Sequence, residues 1–420
     1  MINFKEVSIA DLHIHSKYSR ACSKNLSFEN LVKWARIKGL SLLGTGDFTH
    51  PIWIQEIKKL KEKNSLYYYS DEKGDFPFVL TGEISLMYTQ GRGRRVHLVL
   101  LAPSLDVVDK INSYLDTKGR RDYDGRPIFK ISCEEFTREM MKISKEIEII
   151  PAHIWTPYFG IYGSESGYDS LKEAFGKELE NIHAIETGMS SDPEMNWKIS
   201  ELNNISIVSF SDSHSFWPHR LGREATIFHK INSYQELLNQ IRENNLLGTI
   251  ETDPCYCKYH WDGHRNCNFS CAPARTRELK EICPVCSSQL TIGVENRIEK
   301  LGNQAIEENK KRKMFFKILP LHELIAVNLN SSVNSKKSWA VYNQLIDKFE
   351  SELNILLNLD RAELEGIDIK LIDLILKNRE GKLNVKPGYD GEYGKLILEG
   401  KEVGVNEEEP IKLGVQKRLF

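Results

Sequence analysis

The sequence has no run approaching the ~18 consecutive apolar residues that a membrane-spanning helix needs, which excludes such a span. It shows no charged-then-apolar leader in MINFKEVSIADLHIH, so export by signal peptide is not expected and a cytoplasmic location is. Neither charge dominates: 57 Lys and Arg stand against 59 Asp and Glu, a net of -2. That balance excludes a uniformly basic nucleic-acid coat but leaves room for a local basic surface. No internal repeat stands out. Cysteine is scarce and uneven, with eight in 420 residues and six of them between 255 and 286. Without export, such clustering favours metal over disulfide. At roughly 100–200 residues per domain the chain holds two or three domains, enough to bury cores without covalent staples.

Seven short runs rich in Val, Ile and Leu read as buried strands: 7–15, 39–47, 76–86, 94–103, 147–154, 181–188 and 205–214. Helical patterns separate most of them. Ser132 with Glu135, and Ser233 with Glu236, have the spacing of helix-opening capping boxes. The alternation argues for an α/β fold with a parallel sheet or barrel, and seven runs suit a distorted barrel better than an eightfold one. Residues 1–230 are expected to form this unit and 231–305 a Cys-rich metal-binding module. Residues 306–420 are expected to be mainly helical, with a hairpin near Pro387–Gly394 and a short tail. The charged stretch 295–317 is also expected to be helical.

The polar residues sit at the ends of these strands. His13 and His15 close the first, Asp47 the second with His50 three residues on, and His153 the fifth. Asp212 and His214 close the seventh, while Glu83 and His97 lie in the third and fourth. Histidines at i and i+2 share a strand face. In a parallel barrel the C-terminal strand ends converge on one mouth. Eight such groups, with His50 as a ninth candidate beyond its strand end, cannot share a low-dielectric pocket uncompensated, so two or three divalent metals are expected there, zinc or manganese. Asp11 is a candidate to orient His13 or His15. Asp212, His13 and Glu83 are the candidate catalytic groups, and with no obvious nucleophilic Ser or Cys the chemistry is metal-assisted hydrolysis.

The segments D-L-H-I-H-S, G-D-F-T-H-P, T-G-E-I-S, P-A-H-I-W-T-P and S-D-S-H resemble the PHP (polymerase and histidinol phosphatase) superfamily of metal-dependent phosphoesterases. That resemblance implies a distorted seven-stranded barrel. Many relatives place a histidine where this chain has Asp47, which leaves the assignment of individual metals open.

The six clustered cysteines are spaced Cys255-x-Cys257, Cys267-x3-Cys271 and Cys283-x2-Cys286. Two knuckles joined by a short loop point to one structural zinc held by Cys267, Cys271, Cys283 and Cys286; Cys257, His260 or His264 are substitutes for Cys271. Residues 255–317 hold 12 Lys and Arg against 7 Asp and Glu, interleaved with Tyr256, Tyr259, Trp261 and Phe269. Basic charge attracts phosphates and aromatic faces stack on bases, so nucleic-acid contact is expected here.

The segment K-Y-H-W-D-G-H-R-N-C, then C-P-V-C and L-T-I-G-V-E-N-R-I-E-K-L, is similar to the region after the barrel in the endonuclease Q family of DNA-repair enzymes. The barrel motifs resemble that family too, and the likeness extends from residue 1 to about 305. It implies cleavage of DNA on the 5′ side of deaminated bases (hypoxanthine, uracil, xanthine) and abasic sites; in-line attack by a metal-activated hydroxide predicts a 3′ hydroxyl and a 5′ phosphate. It also implies association with the nucleoid during repair. A stacked base hides its edge, so extrusion into a pocket is expected. Trp155, Tyr158, Phe159 and Trp217 follow the metal motifs and are candidate base contacts, with Arg92 and Arg94 as phosphate contacts at the same mouth. Gln416-Lys417-Arg418-Leu419-Phe420 resembles a short sliding-clamp peptide. Two rival readings remain: a small-molecule phosphatase of the histidinol-phosphate type, and a non-catalytic DNA-binding scaffold.

Overall fold

Each of the seven apolar runs contains a strand in the computed structural model, which describes residues 2–306, 312–398 and 401–403. They are β1 (Val7–Asp11), β2 (Leu42–Gly44), β3 (Gly74–Gln90), β4 (Arg92–Ala102), β5 (Glu148–Pro151), β6 (Ala184–Glu186) and β7 (Ser206–Val208). β1 pairs with β2 and β2 with β3 in parallel, with Ala10 opposite Leu42 and Leu43 opposite Phe78. β6 and β7 are also parallel. Backbone bonds link the chain after β5 to β6 (Ile154 N to Glu186 O, 3.0 Å) and the chain after β7 to that after β1 (Ser213 O to His15 N, 2.9 Å).

The expectation of a wholly parallel arrangement is overturned at β4. It pairs antiparallel with both β3 and β5. Only Gly91, at φ +71°, lies between β3 and β4. So short a link permits a hairpin and no crossover, and a hairpin is antiparallel. β8 (Ala225–His229) then pairs antiparallel with β1 and β9 (Gly248–Glu251) antiparallel with β8. The result is a mixed α/β fold around a large central sheet.

Serine caps start three helices, at Ser132 and Ser233 where the sequence places them and at Ser27 as well. Ser27 accepts the Asn30 amide before Phe28–Lys38, Ser132 that of Glu135 before Cys133–Ile143, and Ser233 that of Glu236 before Tyr234–Arg242. The expected helix over 295–317 is shorter, running Val294–Leu301 and ending at Gly302. Met314–Lys317 is instead a strand, β10, parallel to β9. Its approach is close: a Cβ on Gly248 would meet the Met314 carbonyl oxygen at 2.2 Å.

Helices Leu321–Asn328, Lys336–Phe349, Glu352–Leu357 and Ile369–Arg379 follow, as expected. Buried Glu352 fastens them to the sheet unit. It accepts bonds from Lys38 Nζ (2.6 Å), the Leu321 amide (3.0 Å) and the Tyr342 hydroxyl (2.8 Å). The expected hairpin forms between Val385–Lys386 and Lys395–Leu398. Its loop grips the Cys-rich segment: the amides of Gly388, Gly391 and Gly394 donate to the carbonyls of Cys255, Lys258 and Tyr256. Among the described residues no helix is long and apolar enough to cross a membrane. Gln416–Phe420 lie outside the described residues.

Candidate active site

His13 and His15 follow β1, His153 follows β5, and Asp212 follows β7. Asp212 and His153 sit at positive φ, +49° and +31°, as does Asp47 at +45°. Non-glycine residues adopt that region rarely, and such strain concentrates at functional sites. Glu83 and His97 are not at strand ends. They lie inside the long β3–β4 hairpin, where Glu83 opposes Val99 and His97 opposes Ser85.

These side chains meet around one carboxylate. Glu83 Oε1 lies 2.7 Å from His97 Nδ1 and 3.4 Å from His153 Nε2. Glu83 Oε2 lies 3.3 Å from His15 Nε2 and 3.5 Å from His13 Nε2. Asp212 Oδ1 lies 2.9 Å from His15 Nε2 and 3.5 Å from His13 Nε2. Two groups able to hold a metal ion result, His13–His15–Glu83–Asp212 and Glu83–His97–His153, with Glu83 common to both. His13 Nε2 is buried without a hydrogen-bond partner, as suits an atom aimed at a cation. Nitrogen and carboxylate donors of this kind fit a divalent metal.

The acids and imidazoles of the cluster shift one another's titration. Burial opposes protonation of His13, yet Glu186, Glu83 and Asp212 hold it well above the ordinary imidazole value. His15 is raised likewise against burial, chiefly by Asp47. Burial brings His97 down to about 4, so it is neutral at pH 7. Burial works against an ionised Glu83, but His97 and Arg126 hold it well below the usual carboxylate range.

Other expected ligands stand behind this shell. Asp47 accepts bonds from the Ser16 amide (2.6 Å) and Ser19 Oγ (2.9 Å) and lies 3.0 Å from His15 Nδ1, so it orients His15. His214 Nδ1 meets the Asp212 carbonyl at 3.0 Å, with its ring 4.4 Å from that of His15. His50 is stacked on Tyr18 at 4.4 Å, outside both groups. Asp11 binds Ser211 and the Gly222 amide rather than either histidine, and burial pushes it up to about 6.

Two residues of the site escape sequence reasoning. Glu186, at the end of β6, lies 2.9 Å from His13 Nδ1 and accepts the His153 amide at 2.7 Å. Its signal was present, an acid closing an apolar run as Asp47 closes the run 39–47. Arg126 Nη1 lies 3.0 Å from Glu83 Oε2, and nothing in its loop marks it.

A cavity of about 370 Å³ adjoins the cluster. Its lining includes His97, His153 and Asp212, together with Tyr158, Phe159, Lys258, Tyr259 and Tyr393. Phe159 stacks on His97 at 4.3 Å. Trp155 and Trp217 are not in the wall. Trp155 is fully buried, donating Nε1–H to Asn196 Oδ1 at 2.7 Å. Its apolar neighbour Tyr162, 4.7 Å away, shows why: the ring fills core. Trp217 packs against Trp34 and Trp339, each 5.3 Å away, where the C-terminal helices dock. Arg92 and Arg94 bond the Gly167 carbonyl and line a separate cleft with Arg297 and Lys300, because the hairpin carries them past the metal ligands.

In the Cys-rich segment the converging groups are His264, Cys267, Cys283 and Cys286. His264 Nδ1 lies 3.2 Å from Cys286 Sγ. Hydrogen bonds from Ser288 lower the Cys286 thiol to about 6, which favours the thiolate a metal needs. Cys271 is turned away, 3.3 Å from Thr276 Oγ1. The ribbon Asp262–His264 with Phe269–Cys271 pairs Cys271 with Asp262 and brings His264 to the other end. Cys255 lies 3.5 Å from His260 Nε2, outside the four.

Residues 320–382 match the family described as the MJ0043 C-terminal domain. The chain is 29% identical over 300 residues, 69% of its length, to protein MJ0043 of Methanocaldococcus jannaschii, and spans only 36% of that relative. It is 26% identical over 410 residues to YqxK of Bacillus subtilis, covering 92% of this chain and 98% of YqxK. Its structure is similar to that of the lesion-specific endonuclease PfuEndoQ of Pyrococcus furiosus, at 31% identity and a TM-score of 0.83, covering 93% of this chain and 95% of that one. Identity, TM-score and coverage of this chain are the same for endonuclease Q bound to a 27-mer duplex with an abasic lesion at the active site, where 96% of that chain is covered. With both chains matched almost end to end at that identity, this protein belongs to the endonuclease Q family.

Proposed function

We propose that this chain is a metal-dependent endonuclease of DNA repair that hydrolyses the phosphodiester 5′ of deaminated bases (hypoxanthine, uracil, xanthine) and abasic sites. The observation that carries this reading is Glu83, shared between two ligand groups beside a 370 Å³ cavity. In this reading residues 1–230 are a PHP barrel, 231–305 a zinc module and 306–420 a helical region. His13, His15, Glu83, His97, His153 and Asp212 would hold two or three zinc or manganese ions, with Asp47, His50 and His214 supporting them. Divalent ions bound there supply the acidity that ionises a water near neutral pH and positive charge against that developing on the phosphate. Glu186 and Asp47 fix the ligand histidines. Arg126 sets a further positive charge at Glu83. Tyr158 and Phe159 flank the cavity in which an extruded base is read. His264, Cys267, Cys283 and Cys286 would hold the structural zinc, and that module carries Lys258 and Tyr259 to the cavity.

Damaged DNA is the partner this reading requires. A sliding clamp is a second proposed partner, through Gln416–Phe420; deleting those residues should weaken clamp binding and leave cleavage intact. The nuclease reading is tested with a labelled duplex carrying one hypoxanthine, an undamaged control and a chelator. Nicking of the damaged duplex alone, abolished by chelation and by His13→Ala or Asp212→Asn, is expected. Wild-type cutting by either variant contradicts the site.

A further inference from the structure

We propose that Lys258 reads the lesion, its ammonium donating a hydrogen bond to the keto oxygen that deamination puts in place of an amino group. The inference rests on the nuclease reading above and names the group that separates uracil from cytosine and hypoxanthine from adenine.

Deamination exchanges an N–H donor for a carbonyl acceptor on the pairing edge of the base. A site that accepts the product and refuses the parent therefore needs a donor that is not already engaged. Three cations line the cavity: Arg126, Arg223 and Lys258. Arg126 is anchored on Glu83 at 3.0 Å, which fixes its guanidinium in place. Arg223 donates to the Ser211 carbonyl at 3.1 Å. The Lys258 ammonium rests over the Tyr393 ring, 4.4 Å from its centroid, and no carboxylate pairs with it among the described residues. An aromatic face holds an ammonium without using up its three N–H donors.

The segment that presents Lys258 is pinned. The Gly391 amide donates to the Lys258 carbonyl at 2.9 Å and the Gly394 amide to that of Tyr256 at 3.1 Å. Tyr393 lies between these two bonds, so the hairpin that grips the loop also supplies the ring beneath the ammonium. Aromatic walls complete the recess, with Tyr158 and Tyr259 rings 6.3 Å apart. An amino group turned toward Lys258 would set donor against donor and leave both unpaired, which is how a site of this kind discriminates. Thymine and guanine carry the same keto oxygen; their extra methyl or amino group must be refused by shape, not by Lys258.

An abasic site has no base to read, and that separates the roles. Single-turnover nicking is measured for the whole protein on duplexes carrying uracil, hypoxanthine or an abasic site. Lys258→Met is expected to lose about 10- to 100-fold on uracil and hypoxanthine, and to stay within about twofold on the abasic duplex, which also shows that it folds. Tyr393 acts as a positioning residue. Tyr393→Leu should reproduce part of the same selective loss, and Tyr393→Phe, which keeps the ring, should restore it. Equal losses on all three duplexes would make Lys258 a phosphate contact and overturn the proposal, as would unchanged rates on uracil. Failure of the wild-type protein to nick the abasic duplex would instead overturn the nuclease reading itself, and this inference with it.

Discussion

Glu186 Oε1 lies 2.9 Å from His13 Nδ1 while its second oxygen accepts the His153 amide at 2.7 Å. One buried carboxylate thus positions a histidine from each ligand group. Both oxygens act as acceptors, and a glutamine offers only one. Glu186→Gln leaves a buried donor facing an NH2 group, at a cost of ~1–3 kcal/mol, and loosens His13. Metal affinity and nicking should fall by about 10–100-fold, in the range of other outer-shell changes. Metal content and nicking at rising manganese check this; partial rescue by excess metal is expected.

Glu83 predicts a harsher loss, because both ligand groups contain it. Glu83→Gln removes the negative charge that two clusters share, and should cost more than the ~10–100-fold typical of outer-shell positions. Bound metal should fall below that of His97→Ala, which strips a ligand from one group only. Equal metal content in the two variants would mean that Glu83 serves a single ion.

Much of this was legible from the chain. Each of the seven apolar runs contains a strand, and the Ser132 and Ser233 caps form, because burial and capping are local demands written in residue type. Strand direction was less legible. The turn at Gly91 that reverses β4 looks like any glycine until its neighbours pair. The residues that converge were legible: the structure brings His13, His15, Glu83, His97, His153 and Asp212 together. Rank was not, since Asp47 and Glu186 stand one bond further out for reasons of distance alone. Trp155 and Trp217 misled because an aromatic after a ligand motif reads alike whether it faces a cavity or a core.

The choice between His264 and Cys271 follows from ribbon geometry. Cys271 faces Thr276, while His264 joins Cys267, Cys283 and Cys286. His264→Ala should release zinc and lower the melting temperature, since a structural metal contributes folding free energy directly. Cys271→Ala should keep zinc and cost ~1 kcal/mol, as an ordinary buried change does. Zinc per chain, measured on both variants, decides; loss from Cys271→Ala alone would restore the four-cysteine site.

A last prediction concerns a pair of acids below the site. Burial pushes Glu224 up to about 8, with Glu251 raised beside it. Glu224 accepts the Thr252 amide at 3.0 Å and Ser209 Oγ at 3.1 Å, while Ser209 Oγ also lies 3.0 Å from the Ile250 carbonyl. From its ordinary value near 4.5 up to about 8 the folded state binds the proton that the unfolded chain has released. Stability therefore falls as pH rises through that window. Glu224→Gln removes the titration and can keep the network: its oxygen accepts from Thr252, its NH2 donates to Ser209 Oγ, and that hydroxyl turns to Ile250. The variant should gain in melting temperature at pH 8 and gain little at pH 5. Melting curves at the two pH values test it, and an unchanged gap between them would show that Glu224 does not carry the proton.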